Sequence, residues 1–295
     1  MNVRHALAAI LLATALLPAS ATAQRFEGVV RQRTIEVDEQ GLFDVLYDEN
    51  VEEPDFDSEE AWLRYTADRL FAIPPERWIG GEDAMTEEAT LHVKGDRIRS
   101  DISGPEGKMT FILNGATGQV WIVNHAGRFY ITYSMEEMEA ATERMLEEMG
   151  IDPEEAREMD ALMNQDGSGP LTVRATGESR DLNGFRAAEY EASGVGRYAR
   201  GWCATDDAGL RRAMEGLMGG LSMMEDEDED SPGGGDLATE VCGERVPVQV
   251  QAFTSGYSNS YRFEEILGLE QTAVSDDLFR VPEGYAQRRL EDIWR

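Results

Sequence analysis

Lysine, histidine and cysteine are scarce in this chain of 295 residues, which has only Lys94 and Lys108, three histidines and two cysteines. Basic residues number 27 against 58 acids, a formal charge of −31. A nucleic-acid phosphate backbone needs a basic face, and no dense Lys/Arg run exists, so nucleic acid is excluded as a partner. His5, His92 and His125 do not have zinc-site spacing, and no Gly-x-Ser-x-Gly, Gly-x-x-x-x-Gly-Lys, His-Glu-x-x-His or Cys-x-x-Cys motif occurs. The expectation is therefore no enzyme, no catalytic residue, no metal and no cofactor. Acid pairs are too abundant in this composition to single out a glycosidase.

Long apolar runs are also missing. The one such run is Ala6–Leu17, 12 residues, too short for a bilayer, which needs about 20. It follows Arg4 and His5 and precedes Ala21-Thr22-Ala23. That order is a secretory signal with a small-residue cleavage site near Ala23. The mature chain would start at Gln24 and be soluble in the periplasm or secreted, with no transmembrane segment. Export meets an oxidising compartment, so Cys203 and Cys242 are expected to form a disulfide.

What remains is rich in strand signals. Short apolar or alternating bursts bounded by Gly, Asn and Asp predict strands over Phe26–Val37, Leu42–Tyr47, Thr90–Lys94, Arg97–Ile102, Lys108–Leu113, Gln119–Asn124 and Arg128–Tyr133. Further strands are expected over Leu171–Glu178, Phe185–Ala192, Gly196–Ala204, Val246–Phe253 and Tyr261–Glu270. Gly95-Asp96 marks a tight hairpin. Ser58–Phe71 reads as a helix, capped by Ser58 and stopped by Pro74-Pro75.

Two acidic stretches interrupt the strands. Residues 134–170 hold 12 acids and 2 Arg, and residues 206–240 hold 11 acids and 2 Arg. Met135, Met138, Met145 and Met149 recur at helical spacing in the first, as do Met214 and Met218 with Leu210, Leu217 and Leu221 in the second. Methionine adapts to variable apolar shapes. Three readings fit: a lid over an apolar cavity, plain core cover, or a thioether copper site. The tract Glu225–Asp230 does not complete a calcium loop, because Ser231 stands at the glycine position and Leu237 at the last acid position.

The segments Leu91–Ile102, Phe111–Asn124 and Arg128-Phe129-Tyr130 also carry a resemblance, as do Thr176–Gly184 followed by Phe185–Ala192, Gly201-Trp202-Cys203-Ala204, and the closing Asp277–Tyr285 with its Phe-x-Val-Pro-x-Gly-Tyr order. Together they resemble an uncharacterised exported branch of the LolA/LolB-like family, the outer-membrane lipoprotein carrier type, over roughly residues 91–285. The resemblance implies an incomplete antiparallel β-barrel that wraps an apolar cavity closed by helices, in a family whose members carry acyl chains or sense envelope stress.

The reading as a whole is a mostly β chain with α additions (α+β). Residues 1–23 are a signal peptide. Residues 24–285 form a single LolA/LolB-like domain with helical insertions at about 134–170 and 206–240, and 286–295 form a tail. The expected function is binding of an apolar or acylated ligand, lipid or lipoprotein-like, or of an envelope partner. The alternative is a non-enzymatic envelope interaction or structural protein without a cavity. Cavity candidates are Phe111, Trp121, Phe129, Tyr130, Met135, Met138, Met145, Trp202, Met214 and Met218.

Overall fold

The computed structural model describes residues 26–46, 55–79, 84–104, 107–134, 171–205, 237–255 and 259–289, with a few single positions between 137 and 211. The described chain is mostly β. Twelve strands form one sheet in the order β12-β6-β5-β4-β3-β2-β1-β11-β10-β9-β8-β7. The sheet is open: β12 lies at one edge and β7 at the other, and the two do not pair.

One wing is a meander. β1 (Glu27–Val37) pairs with β2 (Ala84–Lys94), and β3 (Arg97–Gly104), β4 (Gly107–Asn114), β5 (Gln119–Asn124) and β6 (Phe129–Ser134) follow in turn. The other wing holds β7 (Thr172–Leu182), β8 (Phe185–Gly194), β9 (Arg197–Ala204), β10 (Pro247–Thr254) and β11 (Ser260–Gln271). β1 and β11 join the wings in antiparallel register, with an irregularity between Arg31 and Gln32. Two-residue turns close the β2–β3, β7–β8 and β8–β9 hairpins, and Gly95 supplies the left-handed position at φ 67° between β2 and β3.

The sheet is mixed rather than wholly antiparallel. β12 (Ala286–Arg288) runs parallel to β6, pairing Ala286 with Phe129 and Arg288 with Ile131. A parallel partner is available because a long crossover brings the C-terminal segment back along the sheet.

A second departure from expectation is α1 (Glu39–Leu46), where the pattern of Leu42–Tyr47 suggested a strand. Asp38 opens the helix: its Oδ1 accepts from Gly41 N at 3.0 Å, and its carbonyl accepts from Leu42 N at 3.0 Å. Leu42 is fully buried while Phe43 is 58% exposed. A cap followed by an acid in the first turn outweighs a short apolar run.

α2 (Glu59–Phe71) forms as its cap predicts. Ser58 Oγ accepts from Ala61 N at 3.2 Å, and Glu59 and Glu60 sit in the first turn. Its Leu63, Ala67 and Leu70 pack with Tyr198, Phe253, Tyr261, Phe263, Ile35 and Val37. The short α3 (Leu237–Cys242) packs through Val241 on Ala192, Ala199 and Ala252. Neighbouring residues of a strand point to opposite faces. Tyr198 and Phe253 meet α2 while Ala199 and Ala252 meet α3, so the two helices clamp β9 and β10 from both sides. A Cβ on Gly201 would lie 2.6 Å from Val241 Cγ1, which is why the strand has glycine where α3 rests.

Cys203 and Cys242 are bonded, with Cα atoms 5.6 Å apart, and tie β9 to α3. This matches the pairing expected from export and an even cysteine count. No helix among the described residues is long and apolar enough to cross a membrane.

Candidate functional site

Alternation gives the β1–β6 wing two unlike faces. Val30, Leu91, Val93, Ile98, Ile102, Phe111, Leu113, Val120, Ile122, Ile131 and Tyr133 are buried and belong to one apolar cluster. The register stacks them: Val30 opposes Leu91, Val93 opposes Ile98, Ile98 opposes Leu113, Leu113 opposes Val120, and Val120 opposes Tyr133. Phe185, Ala187, Trp202, Val246, Val248 and Ile266 from the other wing extend the same cluster. The described helices pack on residues outside this cluster: α1 touches β1 and β11, α2 packs on Ile35 and Val37 of β1 and on β9 and β10, and α3 touches β8, β9 and β10.

The intervening residues form a second, mixed face, polar at Arg99, Asp101 and Thr110 but with Ile112 and Val123 buried on it, and the C-terminal segment 274–288, which we call the strap, crosses this face. Val274 O accepts from Lys94 Nζ at 2.8 Å, and Val274 N donates to Glu27 Oε1 at 2.8 Å. Asp276 pairs with Arg97 at 2.6 Å and Lys94 at 3.1 Å. Arg97 lies over the Phe279 ring at 4.8 Å. Arg99 Nη1 donates to Leu278 O at 2.7 Å. The hairpin Lys94–Arg99 and the closing Asp277–Tyr285, two segments noted from sequence alone, are therefore in contact.

Under the strap lies a hydrogen-bonded chain of side chains. Arg99 clasps Asp101 through Nε at 3.1 Å and Nη2 at 2.8 Å. Thr110, 1% exposed, donates its hydroxyl proton to Asp101. Thr110 Oγ1 lies 2.8 Å from His125 Nε2, and His125 Nδ1 lies 3.0 Å from the Tyr285 hydroxyl. Because the threonine proton is committed to a carboxylate, Nε2 must donate to Thr110, and the neutral ring then accepts at Nδ1 from Tyr285. His92 Nε2 stands 3.8 Å from Asp101.

Burial pulls both histidines below their ordinary pKa, and the positive charges of Arg99 and Lys108 add to it, outweighing the pull of Asp101. For Asp101 burial acts upward, but the hydrogen bonds from Arg99 and Thr110 win and hold the carboxyl below its usual range. The consequence for stability follows from linkage. A histidine whose folded pKa is depressed favours the folded state above its ordinary value of about 6.5, and that contribution is lost as pH falls through the folded value. Urea midpoints should therefore fall between about pH 7.5 and pH 5. His92→Gln/His125→Gln should flatten that slope, whereas a slope unchanged in the double variant would place its origin elsewhere. The Asp101 contribution is lost separately, only at pH values below the ordinary 3.8.

Thr110 is enclosed, so the array fastens the strap to the sheet. No group of three or more His, Cys, Asp or Glu suited to a metal occurs among the described residues.

The residues singled out from sequence separate between the two faces. Phe111 lies in the apolar cluster with Trp202, and Phe129 packs against it. Trp121 and Tyr130 project from the opposite face, where Tyr130 Oη donates to Gln287 Oε1 at 3.3 Å. Met135, Met138, Met145, Met214 and Met218 lie outside the described residues, as does the signal segment. Sequence reasoning passed over Asp101, Thr110, His125 and Tyr285 as a group. The available signal was the scarcity of histidine and its placement on the polar side of an alternating strand and in the following turn.

No family model matches the chain, and no curated protein does. Among solved structures it is similar to an uncharacterized conserved protein from Thermus thermophilus, at 8% identity and TM-score 0.35, covering 70% of this chain and 83% of that one. It is similar to PNGF-II at 8% identity and TM-score 0.28, covering 91% of this chain but 33% of that one. It is also similar to a LolA superfamily protein from Nitrosomonas europaea, at 9% identity and TM-score 0.29, covering 88% and 91%. TM-scores this low assign neither family nor activity.

Proposed function

We propose that this chain is an exported, non-enzymatic binding protein that takes an apolar or acylated ligand against the apolar face of its β1–β6 wing. The observation behind this reading is the breadth of that face. It runs from Tyr133 on β6 through Phe111, Leu91 and Val30, and it continues into Trp202 and Phe185 of the other wing. The strands supply it throughout, and α2 packs on a separate apolar cluster that includes Ile35 and Val37 of β1. The methionine-rich segments 134–170 and 206–240 supply the adaptable apolar surface that a variable ligand needs. Phe111, Phe129 and Trp202 are the large strand residues on the ligand side. Acyl burial is favourable by about 0.8 kcal/mol per CH₂, so a chain of ordinary lipid length offsets substantial rearrangement. The partner is then a lipid or an acylated envelope protein, reached in the periplasm or outside the cell. The disulfide agrees with that compartment.

Organic extraction and mass spectrometry of protein purified from the periplasm should recover acyl lipid, and a fluorescent fatty-acid probe should bind the delipidated chain. Met138→Asp with Met145→Asp should weaken the probe at least about tenfold, the factor for 1.4 kcal/mol, and leave the β circular-dichroism signal intact. Unfolding in step with the loss of binding would make those residues plain core. Absence of probe binding by the wild type would reject the reading in favour of an interaction protein without a cavity.

A further inference from the structure

We propose that the corner where the start of β4, the β5–β6 turn and β12 meet is a docking surface for anionic lipid bilayers. Lys108, Arg128 and Arg288 are exposed there. His125 N donates to Lys108 O at 3.3 Å, and Ala286 N donates to Arg128 O at 3.1 Å, so the three cations are held on adjoining backbone.

Their surroundings differ from those of the arginines that are ion-paired along the sheet. Arg33, Arg64, Arg97, Arg99, Arg200 and Arg262 all face carboxylates. Among the described residues, Arg128 and Arg288 have no carboxylate partner. They lie instead over aromatic rings, Arg128 at 5.6 Å from the Tyr285 centroid and Arg288 at 4.1 Å from that of Phe129. Lys108 approaches Asp101 at 4.0 Å, and Arg99 already holds that carboxylate. In a chain with 58 acids and 27 basic residues, three exposed cations on adjoining backbone, two of them without a carboxylate partner among the described residues, are a local segregation of charge. Glu283 is the exposed acid of the adjoining strap turn, and the three cations outweigh it.

Arg128 also holds φ 50°, a left-handed conformation that asparagine or glycine adopts at less cost. The turn keeps a charged side chain where an uncharged residue would be easier to accommodate.

A bilayer fits this surface better than an acidic protein does. Phe129, Tyr130 and Tyr285 stand half-buried beside the cations, and aromatic rings next to arginine are the side chains that settle at a headgroup layer. A ring covers one face of each guanidinium and leaves its planar fork of N–H donors for lipid phosphate. The net charge of −31 does not forbid contact, because repulsion from acids farther than about 8 Å is screened at physiological ionic strength. The docking surface adjoins the apolar ligand face at Phe129, on which Arg288 lies, and adds a membrane contact to it.

The test uses the mature chain and sedimentation with vesicles of phosphatidylglycerol and phosphatidylcholine, against phosphatidylcholine alone. Binding is expected to the anionic vesicles and not to the neutral ones, and to weaken steeply as salt rises above about 0.1 M. Each cation near an anionic surface contributes about fivefold to partition. Arg128→Glu/Arg288→Glu should therefore reduce partition at least about 25-fold, and Arg128→Gln/Arg288→Gln should fall between it and the wild type. Arg128→Glu alone, which changes a side chain lying over Tyr285 and not one lying on Phe129, should bind the fatty-acid probe like the wild type, which separates this surface from the ligand reading. Equal binding to neutral vesicles, unchanged partition in both variants, or retention by polyglutamate in place of vesicles would overturn the proposal.

Discussion

Arg99→Met should cost about 3 kcal/mol of unfolding free energy, near the low end for removing one partner of a buried ion pair, and release the C-terminal strap. Arg99 and Asp101 keep side-chain exposures of only 10% and 16%. Removing the guanidinium strands a carboxylate that still accepts from Thr110, in a site with little water. The same change deletes the donor to Leu278 O, a contact between positions 179 residues apart. Urea denaturation measures the first effect. Limited proteolysis measures the second, as new cleavage between Asp276 and Arg288. Arg99→Met combined with Asp101→Leu should recover a large part of the loss, because the unpaired charge goes with it. If Arg99→Met leaves both the midpoint and the strap's protease resistance unchanged, the strap is held by other contacts.

Replacing Cys203 and Cys242 together by Ala should cost about 4 kcal/mol on the chain-entropy model, for a loop spanning 39 residues. Both sulfurs are fully buried. The local reason for a large effect is α3, which has six residues. A helix shorter than about 12 residues does not hold itself together in water, so its position on β9 depends on the bond and on the Val241 contact at Gly201. The native protein should show no reactive thiol under denaturing, non-reducing conditions. A loss below about 1 kcal/mol would mean that the loop is restricted in the unfolded chain even without the bond.

The amino-acid order by itself determined most strands, because a period of two in burial leaves a period of two in hydrophobicity. Ile98 and Ile102 alternate with Arg97, Arg99 and Asp101, and the structure has β3 there. It determined α2 as well, since Ser58, two following acids and Pro74 are local signals with local causes. The cysteine pair was legible from export and parity.

The sequence signal failed where the decision was not local. Alternation says that Phe111 and Thr110 face opposite ways, but not which direction is apolar interior, so Trp121 and Tyr130 could not be separated from Phe111 and Phe129. The three-residue parallel strand β12 is too short to leave a pattern. The strap on the polar face rests on pairings such as Arg99 with Leu278 and His125 with Tyr285, 160 or more residues apart. Tertiary structure alone decided these, because a charged or aromatic side chain acquires its partner only when the sheet brings distant backbone together. The same physics explains the basic corner: Lys108, Arg128 and Arg288 are scattered along an acidic chain, and it is the return of the C-terminus to the edge of β6 that collects them.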